Sequence, residues 1–408
     1  MSSDNLQVSR NWRLEVVHHR GAGSKDLRAV RLGPLEQGPG VFYFPKEQTA
    51  MSKKLYIPGP VEVSADVLEV MATPMIGHRM KEYAVLHKEV VDGLKKLLNA
   101  PGPVFLSTSS AFGVMEGAVR NLVQKRCACF ANGAFSKKWY DVTLRCGLEA
   151  DVFSAEWGQP VTAAMVDEAL STGKYDAMTL VHNETSTGVM SPLEEIAAVM
   201  QKYPDVSFIV DTVSSMSAVP IDVTALGIDV CLAGVQKAFA LPPGLAVFAV
   251  SRKALDKART TPNRGYYFDF EEFEKNDEKN NTPSTPCISM IFALRHQLQK
   301  MFAEGLENRY ARHRLMADTT RAWALKQGFG LYAAEGARSQ TLTAVANDGR
   351  TDVARLKELL GERGYAMDGG YGKIKNTTFR IPHMGDMTMA DMEEYFALLE
   401  ELLPQVRA

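Results

Sequence analysis

From Leu55 onward the chain alternates short apolar runs with stretches of helical periodicity, and that alternation restricts it to few architectures. Residues 84–98 carry apolar side chains at helical spacing, which predicts an amphipathic helix. A strand is predicted over 104–106, and a helix over 111–122 after a Ser/Thr turn. Further strands are predicted over 177–181, 208–210, 230–233 and 245–250, with helical stretches between several of them, notably 192–201. Strands alternating with helices build an α/β fold around a mostly parallel sheet, which holds ligands at the carboxyl ends of its strands. Beyond residue 288 the pattern changes. A long helical run over 288–327 leads to a strand at 341–345, a helix at 352–363, a strand at 378–381 and a closing helix at 390–402, the pattern of a smaller α+β domain.

The expected organisation is therefore a large domain over residues 51–300 and a small one over 301–408. A weakly ordered extension is expected over residues 1–50, where no apolar period persists. Met51-Ser52-Lys53-Lys54 reads like an ordinary protein start. The N-terminus lacks the continuous apolar core of a secretory signal. The least charged stretch, 231–250, is interrupted by Lys237 and Pro242-Pro243-Gly244, which rejects it as a membrane span. A formal net charge of -2 gives no field of one sign, so neither nucleic acid nor an anionic membrane is an expected partner. The five cysteines are scattered; Cys127 and Cys129 share one face of a strand, and no disulfide framework or zinc spacing is present. Reduced thiols fit a cytoplasmic protein. The eight histidines are dispersed, and no metal site is expected.

Lys237 is the only charged residue between Asp229 and Arg252. A lysine among apolar neighbours is costly unless its pKa falls, and a neutral lysine is the group that forms an imine with an aldehyde. Its bland alternative is a strand-end lysine whose amine reaches water. Asp211 ends the apolar run 207–210, where a carboxylate points out of the carboxyl edge of a parallel sheet. Such a carboxylate keeps a pyridine nitrogen protonated, or serves as a plain turn residue. Ser109-Ser110-Ala111-Phe112-Gly113 lies between a strand and a helix, where backbone amides can hold a phosphate or merely be capped. Asn183-Glu184-Thr185-Ser186-Thr187-Gly188 follows another strand and offers hydroxyls. Arg380, at the end of a strand in the second domain, suits a bidentate clamp on a carboxylate, or a surface ion pair.

Asp211-Thr212-Val213-Ser214-Ser215, followed by Gly234-Val235-Gln236-Lys237-Ala238 and Pro242-Pro243-Gly244, closely resembles the class V aminotransferases. The resemblance runs from Leu55 to the C-terminus and is nearest to alanine/serine–glyoxylate (or pyruvate) enzymes, with phosphoserine aminotransferase as a cousin. It implies fold type I of the transferases that depend on pyridoxal 5'-phosphate, and a homodimer with shared sites. Carried over by position, it implies that Lys237 forms an imine with the cofactor and later moves the proton. Asp211 would pair with the pyridinium and Val213 would pack under the ring. Ser110, Ala111 and Gln236 would hold the phosphate, with Phe112 at the helix start. Thr185 would reach the ring hydroxyl, and Thr285 the phosphate of the neighbouring subunit's cofactor. Phe135 stands where relatives stack an indole on the ring, with Trp139 as a nearby competitor. Arg380 would hold the α-carboxylate.

The activity so implied is transfer of an amino group from a small L-amino acid of the alanine, serine or phosphoserine type to glyoxylate, pyruvate or 2-oxoglutarate. Ile76-Gly77-His78-Arg79 resembles the His-Arg pair that phosphoserine aminotransferases use for the substrate phosphate. Similar pairs occur in relatives acting on alanine or serine, and Arg79 could instead form a domain or dimer salt bridge. A cysteine desulfurase or related lyase would need a nucleophilic cysteine in the C-terminal part, yet none follows Cys287. A non-catalytic binding protein on the same fold would not need Lys237, Asp211 and Arg380 together.

Overall fold

The structure, a computed structural model, describes residues 13–17, 29–33 and 53–407. The chain divides into two compact units, Met1–Ser52 and Lys53–Ala408. In the first, β1 (Arg13–Val17) and β2 (Ala29–Gly33) pair antiparallel. Apart from these two strands, the weakly ordered extension expected over 1–50 lies outside the described residues.

The second unit opens with β3 (Lys54–Tyr56) and contains two main sheets. Chain order then brings β4 (Val104–Ser107), β5 (Cys127–Ala131), β6 (Ala150–Ser154) and β7 (Ala177–Val181). The short hairpin β8 (Asn183–Glu184) and β9 (Val189–Met190) follows, then β10 (Ser207–Asp211), β11 (Val230–Gly234) and β12 (Ala246–Val250). The large sheet has the order β4-β12-β11-β10-β7-β5-β6. All its strands run parallel except β12, which lies antiparallel between β11 and β4. Every residue of β5, β7, β10, β11 and β12 is buried, which accounts for their largely apolar character. Successive side chains leave opposite faces of the sheet. Phe208 and Val210 join one core with Leu94 and Leu294, while Ile209 joins the other with Val114 and Trp139.

A second sheet is formed by β13 (Gly330–Leu331), β14 (Leu342–Ala346), β15 (Tyr365–Gly369) and β16 (Thr378–Pro382), in the order β13-β14-β16-β15-β3. Its edge strand is β3, parallel to β15, so residues from the start of this unit complete the C-terminal sheet. Tyr56 stacks on Tyr395 at 3.8 Å, and Lys54 reaches Asp391 and Glu394 at 2.9 Å each, which fastens that edge. The helical run expected over 288–327 is two helices, Ile288–Glu304 and Leu306–Lys326. They part at Gly305, whose φ of 84° turns the chain as only glycine does cheaply.

Helix Ala111–Leu122 packs against the segment around Phe268. Asn121 donates its amide to the Phe268 carbonyl at 2.8 Å. A Cβ on Gly117 would lie 2.7 Å from Phe268 Cβ, an atom fixed to the backbone. Helix propensity favours alanine over glycine by about 1 kcal/mol, whereas overpacking of this kind costs about 1–3 kcal/mol. Overpacking should win, so Gly117→Ala is expected to lower the denaturant midpoint of the protein; a raised midpoint would show that the helix can move away from Phe268.

Candidate active site

Five parallel strands, β4, β5, β7, β10 and β11, end on one edge of the large sheet, and the loops that follow them enclose a cleft with about 570 Å³ of free space. Ser110, Ala111 and Phe112 line it after β4, Phe135 after β5, Asn183 and Thr185 after β7, Asp211 and Val213 at the end of β10, and Gln236 and Lys237 after β11. These residues are spread over more than a hundred positions of sequence and meet only because parallel strands share a carboxyl edge.

Asp211 is buried and accepts hydrogen bonds from the Val213 amide at 2.9 Å and from Trp139 Nε1 at 3.3 Å. Burial pushes its pKa up to about 6, against the downward pull of those two donors. Trp139, left open beside Phe135 as a stacking residue, is buried behind the cleft and holds Asp211, while Phe135 lines the cleft. Lys237 is shifted the other way. Burial, then the Arg380 charge, bring its pKa down to about 8, while Asp368, Asp211 and Glu184 hold it up. Its Nζ donates to the Pro58 carbonyl. Gly59, at φ 113°, lies against the lysine stem: a Cβ there would meet Lys237 Cδ at 2.5 Å and Nζ at 2.9 Å.

Ser110 caps helix Ala111–Leu122 by position, yet its hydroxyl makes no cap hydrogen bond, so the helix N-terminus faces the cleft with free donors. Gln236 folds back over Gly234, where a side chain would collide with it. Thr185 Oγ1 lies 2.5 Å from Ser214 Oγ. Arg380 is buried, and its guanidinium donates to the carbonyls of Gly369 at 3.1 Å and Thr185 at 3.2 Å and to the Asp368 carboxylate. The Tyr371 ring covers it at 5.4 Å, and Tyr371 in turn stacks on Phe135 at 5.0 Å. This chain of contacts links the small sheet to the cleft.

His78 is half-buried and Arg79 and Thr285 are exposed, and none of the three lines the cleft of its own protomer. Sequence reasoning passed over Gly59, Asp368, Tyr371 and Glu184. Of these, Glu184 carried a signal: it is the single charge in the turn that follows β7.

The donor set fits pyridoxal phosphate. A helix N-terminus with an unused cap hydroxyl suits the phosphate, a buried carboxylate suits the ring nitrogen, and a lysine with lowered pKa suits the aldehyde. Asn183 also lines the cleft, and its buried Oδ1 has no hydrogen-bond partner. Among the described residues, no group of three or more His, Cys, Asp or Glu is placed to hold a metal ion, and no helix is long and apolar enough to cross a membrane.

Comparison with known proteins agrees. The family model for aminotransferase class-V matches residues 67–376. The chain is similar to an uncharacterized aminotransferase of Methanocaldococcus jannaschii, 36% identical over 82% of this chain and 89% of that one. It is also similar to serine–glyoxylate aminotransferase of Methylorubrum extorquens, 32% identical over 82% of this chain and 86% of that one. The crystal structure of an alanine–glyoxylate aminotransferase from Nostoc sp. superposes with a TM-score of 0.82 at 26% identity, covering 90% of this chain and 98% of that one. The chain belongs to the class-V aminotransferases. It is an enzyme of fold type I whose cofactor is pyridoxal phosphate.

The closeness of Gly59 to Lys237 has a direct consequence. Gly59→Ala adds a Cβ inside the lysine stem and strains a positive φ, a local cost of about 1–3 kcal/mol. The expected result is appearance of the yellow chromophore slowed roughly 5- to 150-fold when pyridoxal phosphate is added to cofactor-free protein. An unchanged rate would mean that Lys237 does not need this space.

Proposed function

We propose that Lys237 carries pyridoxal phosphate and that the enzyme moves the amino group of a small, neutral L-amino acid, alanine or serine, to glyoxylate. The observation that carries this reading is the meeting of Lys237 and Asp211 in one cleft, with Arg380 joined to its lining through the Thr185 carbonyl and through Tyr371 on Phe135. When bound, the cofactor supplies an electron sink that lets the Cα–H bond of an amino acid break. The protein does the rest. The Lys237 amine, its pKa brought down to about 8 chiefly by burial, would be neutral in part near neutral pH, the form that can bond an aldehyde or accept a proton. Asp211 would meet the ring nitrogen with its charge. Phe135 and Val213, which both line the cleft, would pack against the ring. Ser110, the amides of Ala111 and Phe112, and Gln236 would receive the phosphate, and Thr185 the ring hydroxyl. Arg380, with N–H groups beyond those it shares with Gly369, Thr185 and Asp368, receives the α-carboxylate.

Two features favour a substrate without a second anion. Lys237 is the only cation among the residues that one protomer contributes to the cleft lining. Arg380 is already paired with Asp368, whose carboxylate would repel another negative group placed beside it. Glyoxylate as acceptor is supported by relatives described as serine–glyoxylate, aspartate–glyoxylate and alanine–glyoxylate aminotransferases.

The same reading includes a homodimer in the cytoplasm, with a large domain over 51–300 and a small one over 301–408 to which β3 contributes. In support, Phe112, Tyr266 and Tyr267 expose apolar surface close to the phosphate turn, where Tyr267 donates to the Thr108 carbonyl. Thr285 lies two residues from Cys287, whose amide donates to Thr108 Oγ1. A second subunit seated there would bring its own Thr285 to this phosphate site.

A panel of alanine, serine, phosphoserine and aspartate against glyoxylate, pyruvate and 2-oxoglutarate tests this. Alanine or serine with glyoxylate is expected to give the highest kcat/KM, and a preference for phosphoserine with 2-oxoglutarate would overturn the substrate assignment. Arg380→Ala removes charge-assisted hydrogen bonds worth about 1.5–3 kcal/mol, so KM for donor and acceptor should both rise roughly 10- to 100-fold. Unchanged KM for both would place the carboxylate site elsewhere.

A further inference from the structure

Glu184 is a fully buried carboxylate in the turn after β7, and the reaction as described above gives it no task. Each of its contacts comes from a donor. The amides of Phe135, Ser136 and Ser186 donate at 3.1, 2.7 and 3.0 Å, and the hydroxyls of Ser136 and Ser186 at 2.8 and 2.6 Å. An acceptor-only set suits a carboxylate anion, whereas an amide in its place would turn an N–H group against one of these donors.

Two of the donors, the Phe135 and Ser136 amides, belong to the first turn of helix Ala134–Arg145. That helix has Gly133 at its cap position and no local side-chain cap, so Glu184 satisfies its N-terminus from a distant part of the sequence. The cap residue must be glycine: a Cβ on Gly133 would lie 2.5 Å from Glu184 Cδ and 2.5 Å from Ser186 Oγ.

The anchored helix carries two residues of the cofactor site. Phe135 lies on the cleft, and Trp139, about one turn further on, donates to Asp211. Fixing the first turn of a helix fixes the rotation and height of everything it presents. We propose that Glu184 is a positioning residue for the transamination: its carboxylate locks the start of this helix so that Phe135 covers the cofactor ring and Trp139 holds Asp211 on the ring nitrogen. The inference rests on the cofactor placement given under the proposed function. Electrostatics adds to the geometry. Glu184 raises the proton affinity of both Asp211 and Lys237. The charged groups acting on Lys237 are Arg380, which lowers its pKa, and Asp368, Asp211 and Glu184, which raise it.

The test is Glu184→Gln, nearly isosteric but without the charge, compared with wild-type holoenzyme. Three quantities are read: the dissociation constant of pyridoxal phosphate for the cofactor-free protein, the pH midpoint of the bound chromophore, and kcat and KM separately. The expected result is cofactor binding weakened by roughly tenfold or more, as for loss of a hydrogen-bonded buried charge. The chromophore midpoint should move to lower pH, because a negative charge near Lys237 is gone, and kcat should fall more than KM rises. Ser136→Ala and Ser186→Ala each remove one hydroxyl donor, and should weaken cofactor binding in the same direction by a smaller factor. They serve as the readout if Glu184→Gln does not fold. Variants that lose thermal stability while keeping the wild-type cofactor affinity and chromophore midpoint would reduce Glu184 to a helix cap and overturn the proposal. Wild-type protein that ignores pyridoxal phosphate would instead overturn the cofactor placement itself, so the two failures are distinguishable.

Discussion

The structure depends on one constraint: parallel strands deliver their carboxyl ends to the same edge. In the large sheet β4, β5, β7, β10 and β11 all run the same way, and each ends in a polar turn. A hydroxyl turn with a free helix N-terminus, an aromatic ring, a carboxylate and a lysine are thereby brought within one cleft. Burial on both faces makes the strands stiff and apolar, so the polar residues at their ends have little freedom to wander. The antiparallel strand β12 returns the chain to β4 and contributes no residue to the cleft lining.

The same burial sets the chemistry. It moves Asp211 up to about 6 and Lys237 down to about 8, each toward its neutral form and so toward one another. Neither shift comes from a close ion pair between them. Asp211 stays anchored by Val213 and Trp139, and Lys237 by the Pro58 carbonyl, so both remain available to a third partner. A protonated pyridine nitrogen beside Asp211 would answer its charge, and an aldehyde beside Lys237 would use its neutral amine. Two carboxylates outside the direct chemistry bear on this balance, Glu184 from the hairpin after β7 on both groups and Asp368 from the small sheet on Lys237.

Much of the fold was legible in the sequence because its elements are strongly patterned. The strands expected over 104–106, 177–181, 208–210, 230–233 and 245–250 all exist, as does the helix over 111–122. Strand direction was not legible: β12 has the same apolar composition as its parallel neighbours, and its reversal comes from the short connection after β11. The pairing of β3 with β15 was hidden too, because three residues near one end of the chain carry no mark of a partner three hundred residues away. At the site, residues that touch the cleft directly carry chemistry that a pattern can suggest, as with Lys237 and Asp211. Glu184 and Gly59 act through contacts with other residues, and such contacts exist only in three dimensions. His78, Arg79 and Thr285 do not line the protomer's own cleft.

The central claim is that Lys237 is the point of covalent attachment. Borohydride reduction of the yellow protein, followed by peptide mapping, tests it most directly. The account predicts that the reduced cofactor is fixed on the peptide containing Lys237 and that Lys237→Ala yields no labelled peptide. A label on any other lysine, or protein that stays colourless with added pyridoxal phosphate, would contradict it.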